Sequence, residues 1–258
     1  MISLLTHLQL LMPPRFFHAD DIHIGQIVEL EITTAHHAAR VLRIKTGDPV
    51  ILFNGQGGEF SAHIESIRKA TTTVFIDQFN AVERESPLTI ELAQTICVNE
   101  KMDLIIQKSV ELGVTSIQPI STTRSVVRLS EDRAKKRLQH WQRVIISACE
   151  QCGRNFIPPI APLISLTDWI SRKKNKTSDH LSIMLSATGK ESLKNLPRPL
   201  SETHFTLVVG PEGGLTSEEE MILQQANFQP IRIGKRILRT ETAALATIAA
   251  MQILWGDF

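Results

Sequence analysis

Residues 208–242 hold two apolar strands, each running into a loop too specialised to be a plain connection. Phe205 to Val209 is a short, β-rich apolar run, the pattern of a buried strand. It stops at Gly210-Pro211, a turn signal, and Gly213-Gly214 then lets backbone approach a ligand with no side chain in the way. Thr216 and Glu219 have the spacing of a capping box, so a helix starts there. Ile231-Arg232-Ile233 reads as a second strand, Gly234 ends it, and a polar loop follows. Thr240 then opens a closing helix rich in alanine. Two strand-end loops of this kind, side by side on one sheet edge, are where an open α/β sheet holds a ligand.

The rest of the chain supplies the sheet that such loops need. From Leu88 onward strand and helix alternate: a strand over 88–96, a helix over 100–112 closed by Gly113, a strand over 114–120. A long helix then runs from Ser130 to Gly153, and another strand covers 181–185. That alternation argues for a parallel α/β sheet. Before it, residues 12–80 have a different texture. Ile27 to Ile32 alternates, Val50 to Phe53 and Glu59 to Ile67 form a hairpin around Asn54-Gly55-Gln56-Gly57-Gly58, and Thr72 to Ile76 is β-branched. Several short strands with one short helix over 34–43 suggest a small β-barrel. Residues 81–87, polar and ending at Pro87, form the linker, and 88–258 the second domain.

At 258 residues, with 42% hydrophobic and 21% charged content, the chain reads as a soluble globular protein. Its apolar runs fall short of a membrane span, so no membrane partner is expected. Three cysteines, Cys97, Cys149 and Cys152, suit a reducing cytoplasm better than a disulfide framework. Residues 1–11 lack a basic start and a small-residue cleavage site, so they are not expected to be a signal peptide, and Met12 is the expected natural start. No metal is expected. The adjacent His36 and His37 cannot face one another on a helix, and Cys149-Glu-Gln-Cys152, at a helix end, has too few ligands for zinc. The same pair lies away from a helix N-terminus, where a redox thiol would be activated, and reads as helix packing.

Gly210-Pro211-Glu212-Gly213-Gly214 has neither the glycine spacing of a dinucleotide fingerprint nor the closing Gly-Lys-Ser/Thr of a phosphate loop. The two loops instead offer backbone donors and acceptors to frame a planar base, with Ile237 and Leu238 to sandwich it. A nucleoside-type ligand fits better than a polyphosphate.

Gly210-Pro-Glu-Gly-Gly-Leu-Thr followed by Arg236-Ile-Leu-Arg-Thr-Glu-Thr-Ala resembles the C-terminal signature of SPOUT-class RNA methyltransferases. Glu150-Gln-Cys-Gly-Arg-Asn155, Glu100-Lys-Met102, Gln107 to Val114 and Pro14-Arg-Phe-Phe17 narrow the resemblance to the ribosomal RNA small subunit methyltransferase E family, in the same order over nearly the whole chain. The resemblance implies S-adenosylmethionine-dependent methylation of N3 of one uridine in 16S ribosomal RNA. It implies a PUA-like RNA-binding barrel at the N-terminus, a trefoil-knotted methyltransferase domain at the C-terminus, and a homodimer. It also implies that the cofactor is held by Leu185, Ser186, Gly210, Pro211, Glu212, Gly213, Gly214, Ile233, Gly234, Ile237, Leu238, Arg239, Thr240, Thr242 and Ala243. The loop Leu185-Ser-Ala-Thr188 departs from relatives that carry His-Pro there.

A sulfonium methyl is already activated, so alignment is the main task. Uridine N3 carries a proton on its pairing edge, so the target base is expected to be single-stranded or flipped out. A base or a cation that steadies the uridine anion would help. Arg154 is the expected cation, and Glu241 the candidate base, although a carboxylate also suits the first turn of the last helix. From Arg124 to Arg154 eight basic residues stand against three acidic ones. Arg124 and Arg128, with Arg15, Arg40 and Arg43 from the barrel, are the expected RNA contacts. A SPOUT enzyme acting on another RNA position, such as a ribose 2′-hydroxyl, and an RNA-binding protein without activity are the competing readings.

Overall fold

The computed structural model describes residues 13–31, 44–68, 71–173, 180–200 and 203–258, apart from the side chain of Asn99. The expected helix over 34–43, with His36, His37, Arg40 and Arg43, lies outside the described residues, as do residues 1–12. The chain divides into two compact units. One holds the described residues up to Glu85 together with Cys149–Ile157; the other holds Ser86–Ala148 and Pro158–Phe258.

The first unit is a five-stranded sheet. Strands β1 (Arg15–Phe17), β2 (Ile27–Glu29), β3 (Pro49–Phe53), β4 (Glu59–Ile67) and β5 (Thr72–Asn80) lie in the order β1-β3-β4-β5-β2. β3, β4, β5 and β2 pair antiparallel, and β1 runs parallel to β3. Period-two patterning sends Val50, Leu52, Ala62, Ile64, Val74 and Ile76 into one apolar cluster with Phe16 and Val28. The hairpin read at residues 50–67 is present, and β1 was not anticipated.

A buried polar network ties residues 149–157 to this sheet. Arg15 donates to Glu59 and, at 2.6 Å, to Asn155 Oδ1. Arg84 donates to Glu59 Oε2 at 2.9 Å and to the Gly153 carbonyl at 3.1 Å. Burial opposes ionisation of Glu59, but the hydrogen bonds from Arg84 and Arg15 outweigh it and hold its carboxyl below the usual carboxylate range.

The second unit is built on a six-stranded sheet whose neighbours all pair parallel. Its strands are β6 (Thr89–Thr95), β7 (Ser116–Ser121), β8 (Ile164–Ser165), β9 (His180–Leu185), β10 (His204–Val209) and β11 (Gln229–Ile231), in the order β11-β9-β10-β6-β7-β8. The helices are α1 (Asn99–Glu111), α2 (Glu131–Cys152), α3 (Leu166–Arg172), α4 (Ser217–Gln225) and α5 (Thr240–Trp255), and the last four residues of α2 belong to the first unit. Both faces of the sheet are covered, so its strands read as nearly continuous apolar runs. Ala93, Met184 and Val208 pack with Leu215, Leu223, Trp169 and Phe228. Among the described residues no helix is long and apolar enough to cross a membrane. The short β8 and α3, in a stretch of mixed apolar and polar residues, had no clear periodicity in the sequence. Ser165 starts α3 by accepting a hydrogen bond from Asp168 N.

Glu59→Gln should cost about 3 kcal/mol, because it leaves two guanidinium groups without their anion. The check is the denaturant midpoint of the first unit's transition. Since the Glu59 carboxyl is depressed in the folded state, its contribution is present above the ordinary carboxylate range. In the unsubstituted protein it should be lost as pH falls through the depressed value, a loss the variant should not show.

Candidate active site

The parallel register brings the C-terminal ends of β9, β10 and β11 to one edge, and the loops that leave them enclose a cavity of about 720 Å³ including its mouth. Leu185, Ser186 and Ala187 line one side, Gly210, Pro211, Glu212, Gly214 and Leu215 another, and Ile231 to Ile233 with Arg236, Ile237 and Leu238 a third. Val209, Thr240 and Ala243 complete the lining.

Hydrogen bonds fix these loops. Thr240 Oγ1 donates to the Gly210 carbonyl at 2.7 Å and accepts from Gln94 Nε2 at 3.1 Å, so one hydroxyl joins the β10 loop, α5 and β6. Thr216 and Glu219 form the expected capping box at α4. Glu219, buried, also accepts from Thr123 N at 2.7 Å. Arg124 Nη1 donates to the carbonyls of Gly213 and Leu215 at 3.0 and 3.3 Å. Ser186 N donates to the Ile231 carbonyl at 3.0 Å, holding the β9 loop beside the β11 loop. A Cβ at Gly210 would come within 3.2 Å of the Leu215 backbone nitrogen, so a side chain there would press on the loop wall. Gly214 has φ +69°, a conformation other residues rarely take.

Three charged side chains meet beside the cavity. Lys101 Nζ lies 3.2 Å from Glu212 Oε1 and 3.8 Å from Glu241 Oε2. Glu241 Oε2 is buried and without a hydrogen-bond partner, so the Lys101 charge is its one ionic counterpart among the described residues. Nearby, burial first and then the Glu212 carboxylate push the Cys97 thiol up to about 12, which leaves it protonated and unfit as a nucleophile at neutral pH.

Eleven of the expected cofactor residues line the cavity: Leu185, Ser186, Gly210, Pro211, Glu212, Gly214, Ile233, Ile237, Leu238, Thr240 and Ala243. Gly213, Gly234, Arg239 and Thr242 do not. The Gly213 carbonyl serves Arg124, Gly234 turns the chain at φ +71°, Arg239 is the N-cap of α5, and Thr242 is exposed. Ala187, Val209, Leu215, Ile231, Arg232 and Arg236 are lining residues the sequence reading left out. The strand-to-loop transitions at Val209 and Ile231 were the available signal for two of them.

Glu241 stands beside the cavity rather than on its wall. Arg154 belongs to the first unit, is buried, and pairs with both carboxylate oxygens of Glu85, from Nε at 2.9 Å. It is therefore not the free cation that was expected. The cation next to Glu241 is Lys101, within the Glu100-Lys-Met102 stretch that carried part of the family resemblance.

Arg15, expected to face phosphate, is buried between Glu59, Asn155 and the face of Phe53, 5.0 Å from the ring centroid. Arg124 spends donors on loop carbonyls, while Arg128 is exposed and Arg40 and Arg43 lie outside the described residues. Cys149 and Cys152, neither in a disulfide, lie in the last turn of α2, and burial pushes the Cys149 thiol up to about 12, in keeping with packing rather than redox chemistry.

Comparison with known proteins divides the chain near residue 84, with residues 149–157 falling in the C-terminal match. Residues 84–252 match the family model of an RNA methyltransferase domain, and residues 33–75 that of an RNA methyltransferase PUA domain. The chain is 34% identical to ribosomal RNA small subunit methyltransferase E of Buchnera aphidicola subsp. Acyrthosiphon pisum, over 95% of either chain. It is similar to the crystal structure of ribosomal RNA small subunit methyltransferase E from Neisseria gonorrhoeae bound to S-adenosylmethionine, with TM-score 0.87, 40% identity, and 96% of this chain and 100% of that one covered. A Legionella pneumophila structure in complex with the same cofactor gives TM-score 0.90 at 36% identity, with 96% and 100% covered.

The residues present suit that cofactor. Loop backbone can approach it at Gly210 and Gly214, Ile237 and Leu238 offer apolar faces to an adenine ring, and Glu212 offers a carboxylate to a cationic ligand. Thr240→Val keeps the shape but leaves the Gly210 carbonyl without its donor and removes one of the two acceptors of Gln94 Nε2, which keeps the Thr95 carbonyl. It should weaken S-adenosylmethionine binding about tenfold, read by titration calorimetry.

Proposed function

The chain belongs to the ribosomal RNA small subunit methyltransferase E family, and we propose that it methylates N3 of a specific uridine in 16S ribosomal RNA, with S-adenosylmethionine as donor. The observation that carries this reading is the cavity at the ends of β9, β10 and β11, whose wall coincides with most of the residues expected to hold the donor. The bound cofactor supplies a methyl group already activated on a sulfonium.

The chain's own residues then have two tasks. The first is alignment: the loops fixed by Thr240, Glu219 and Arg124 hold the donor in one pose. The second is the N3 proton. Glu241 takes it, N3 uses the freed electron pair to bond the methyl carbon, and the carbon–sulfur bond breaks toward sulfur. Lys101, between Glu212 and Glu241, keeps these carboxylates in place and offsets the negative charge that gathers on the uracil ring. Arg154 acts at one remove, by fixing Glu85 and the segment 149–157.

The remaining expectations extend this reading. The exposed cations from Arg128 through Arg143, with Arg40 and Arg43, meet RNA phosphates of the small subunit. The second unit follows a trefoil-knotted path, a reading supported by the return of α5 onto α1 and β10 after the chain has visited the sheet edge at β11. The enzyme works as a cytoplasmic homodimer; exposed Ile253 and Leu254 in the last turn of α5, with exposed Phe258 after it, support a contact there.

Mass mapping of 16S ribosomal RNA from cells with and without the gene should show loss of one base methyl on uridine. Loss of a ribose methyl would favour the 2′-hydroxyl reading instead. In the purified protein, Glu241→Gln and Lys101→Met should each lower kcat at least about a hundredfold while S-adenosylmethionine affinity stays within about threefold. Turnover at the unsubstituted rate in Glu241→Gln would remove that residue from the proton transfer.

A further inference from the structure

A second cavity, of about 690 Å³, opens at the C-terminal ends of β6 and β7, with Leu163, the residue before β8, on its wall. β6 and β10 are neighbours, and the register Val209↔Gln94 sets the chain leaving β10, Gly210-Pro211, beside the end of β6, Thr95-Ile96. Pro211 is wall of the donor cavity and Ile96 is wall of the second one. The strands that carry these two walls are neighbours, about 4.8 Å apart.

The second lining is chemically unlike the first. Ile96 and Leu163 give it an apolar side. Ser121, Thr122 and Ser125 bring hydroxyls, and Arg128 brings an exposed guanidinium that makes no hydrogen bond or ion pair among the described residues. An apolar wall suits the face of a base, hydroxyls suit the polar edges of a base or ribose, and a free guanidinium suits a phosphate. A methyl acceptor whose pairing edge must be exposed needs a site of this chemistry within reach of the donor.

The loop that lines this cavity is also bonded to the donor loop. Thr123 N donates to Glu219 Oε1 at 2.7 Å, and Arg124 Nη1 donates to the Gly213 and Leu215 carbonyls. An occupant that orders residues 121–129 would order the Gly210–Leu215 loop as well, so the two ligands should help each other bind.

We propose that the cavity formed by Ile96, residues 121–129 and Leu163 is the acceptor subsite, which takes one unpaired pyrimidine nucleotide with Arg128 on its phosphate. This rests on the methyltransferase reading above. The test uses the full chain saturated with S-adenosylmethionine and titrated with uridine 5′-monophosphate, followed by backbone NMR. Shifts are expected at Ser125, Val127 and Leu129. Arg128→Ala should weaken uridine 5′-monophosphate binding about tenfold and raise KM for unmethylated small ribosomal subunits by a similar factor, with kcat nearly unchanged. Val127→Trp, which fills the cavity, should block the nucleotide while calorimetry shows S-adenosylmethionine still bound, which also verifies that the variant is folded. Shifts confined to the donor cavity, equal affinity for inorganic phosphate alone, or an unsubstituted KM in both variants would overturn the assignment. If the unsubstituted enzyme transferred no methyl to those subunits, the methyltransferase reading would fail instead, and the nucleotide titration would still decide whether this cavity binds a pyrimidine.

Discussion

The hydroxyl of Thr240 is the joint on which the proposed donor cavity depends. It donates to the Gly210 carbonyl and accepts from Gln94, two groups on neighbouring parallel strands or their exits. A buried carbonyl or amide left without a partner costs about 1–3 kcal/mol, so this hydroxyl sets where the β10 loop sits relative to α5. The other staples act on the same loop from its far side. Glu219 uses one carboxylate oxygen on Thr216 N and the other on Thr123 N, and Arg124 gathers two carbonyls. The result is a glycine-rich loop that is held tightly although its own residues contribute few side chains.

Charge is distributed by a similar economy. Two arginines that looked free in the sequence, Arg15 and Arg154, are buried against carboxylates in the first unit, because a guanidinium taken from water needs a partner anion. The cation beside the candidate base is a lysine shared between two glutamates. A lysine suits that position: its ammonium is a compact charge on a flexible stem and can attend two carboxylates without the fixed fork that arginine would impose.

How much of this was legible in the sequence follows from the kind of signal each feature leaves. β11 lies at Gln229–Ile231, two residues before the strand expected over 231–233, because Pro230 weakens the strand signal there. The strands β9 and β10 and the capping box at Thr216 depend on local patterns, and the sequence carried them. So did the helix starting at Thr240 and the hairpin around Asn54–Gly58. The partners of Arg154, Arg15 and Lys101 depend on contacts across long separations. Glu85 and Glu59 have no spacing relation to the arginines they meet, and Lys101 reaches Glu212 and Glu241 only because β6 and β10 are adjacent in the sheet. Strand order is set by tertiary packing, so a reading in chain order placed a charge where the helix ended and missed the one where the strands meet. β1 and β8, three and two residues long, are too short to show a period.

The first unit borrows nine residues, Cys149–Ile157, from far downstream. On the ribosome, where chains emerge from the N-terminus onward, Arg15 waits for Asn155 and Arg84 waits for the Gly153 carbonyl. By the time residue 157 is out, β6, α1, β7 and α2 have already been synthesised. The N-terminal sheet is thus first in sequence but cannot finish folding until Ile157 has emerged, and a nascent chain cut before Cys149 would carry Arg15 without its Asn155 partner.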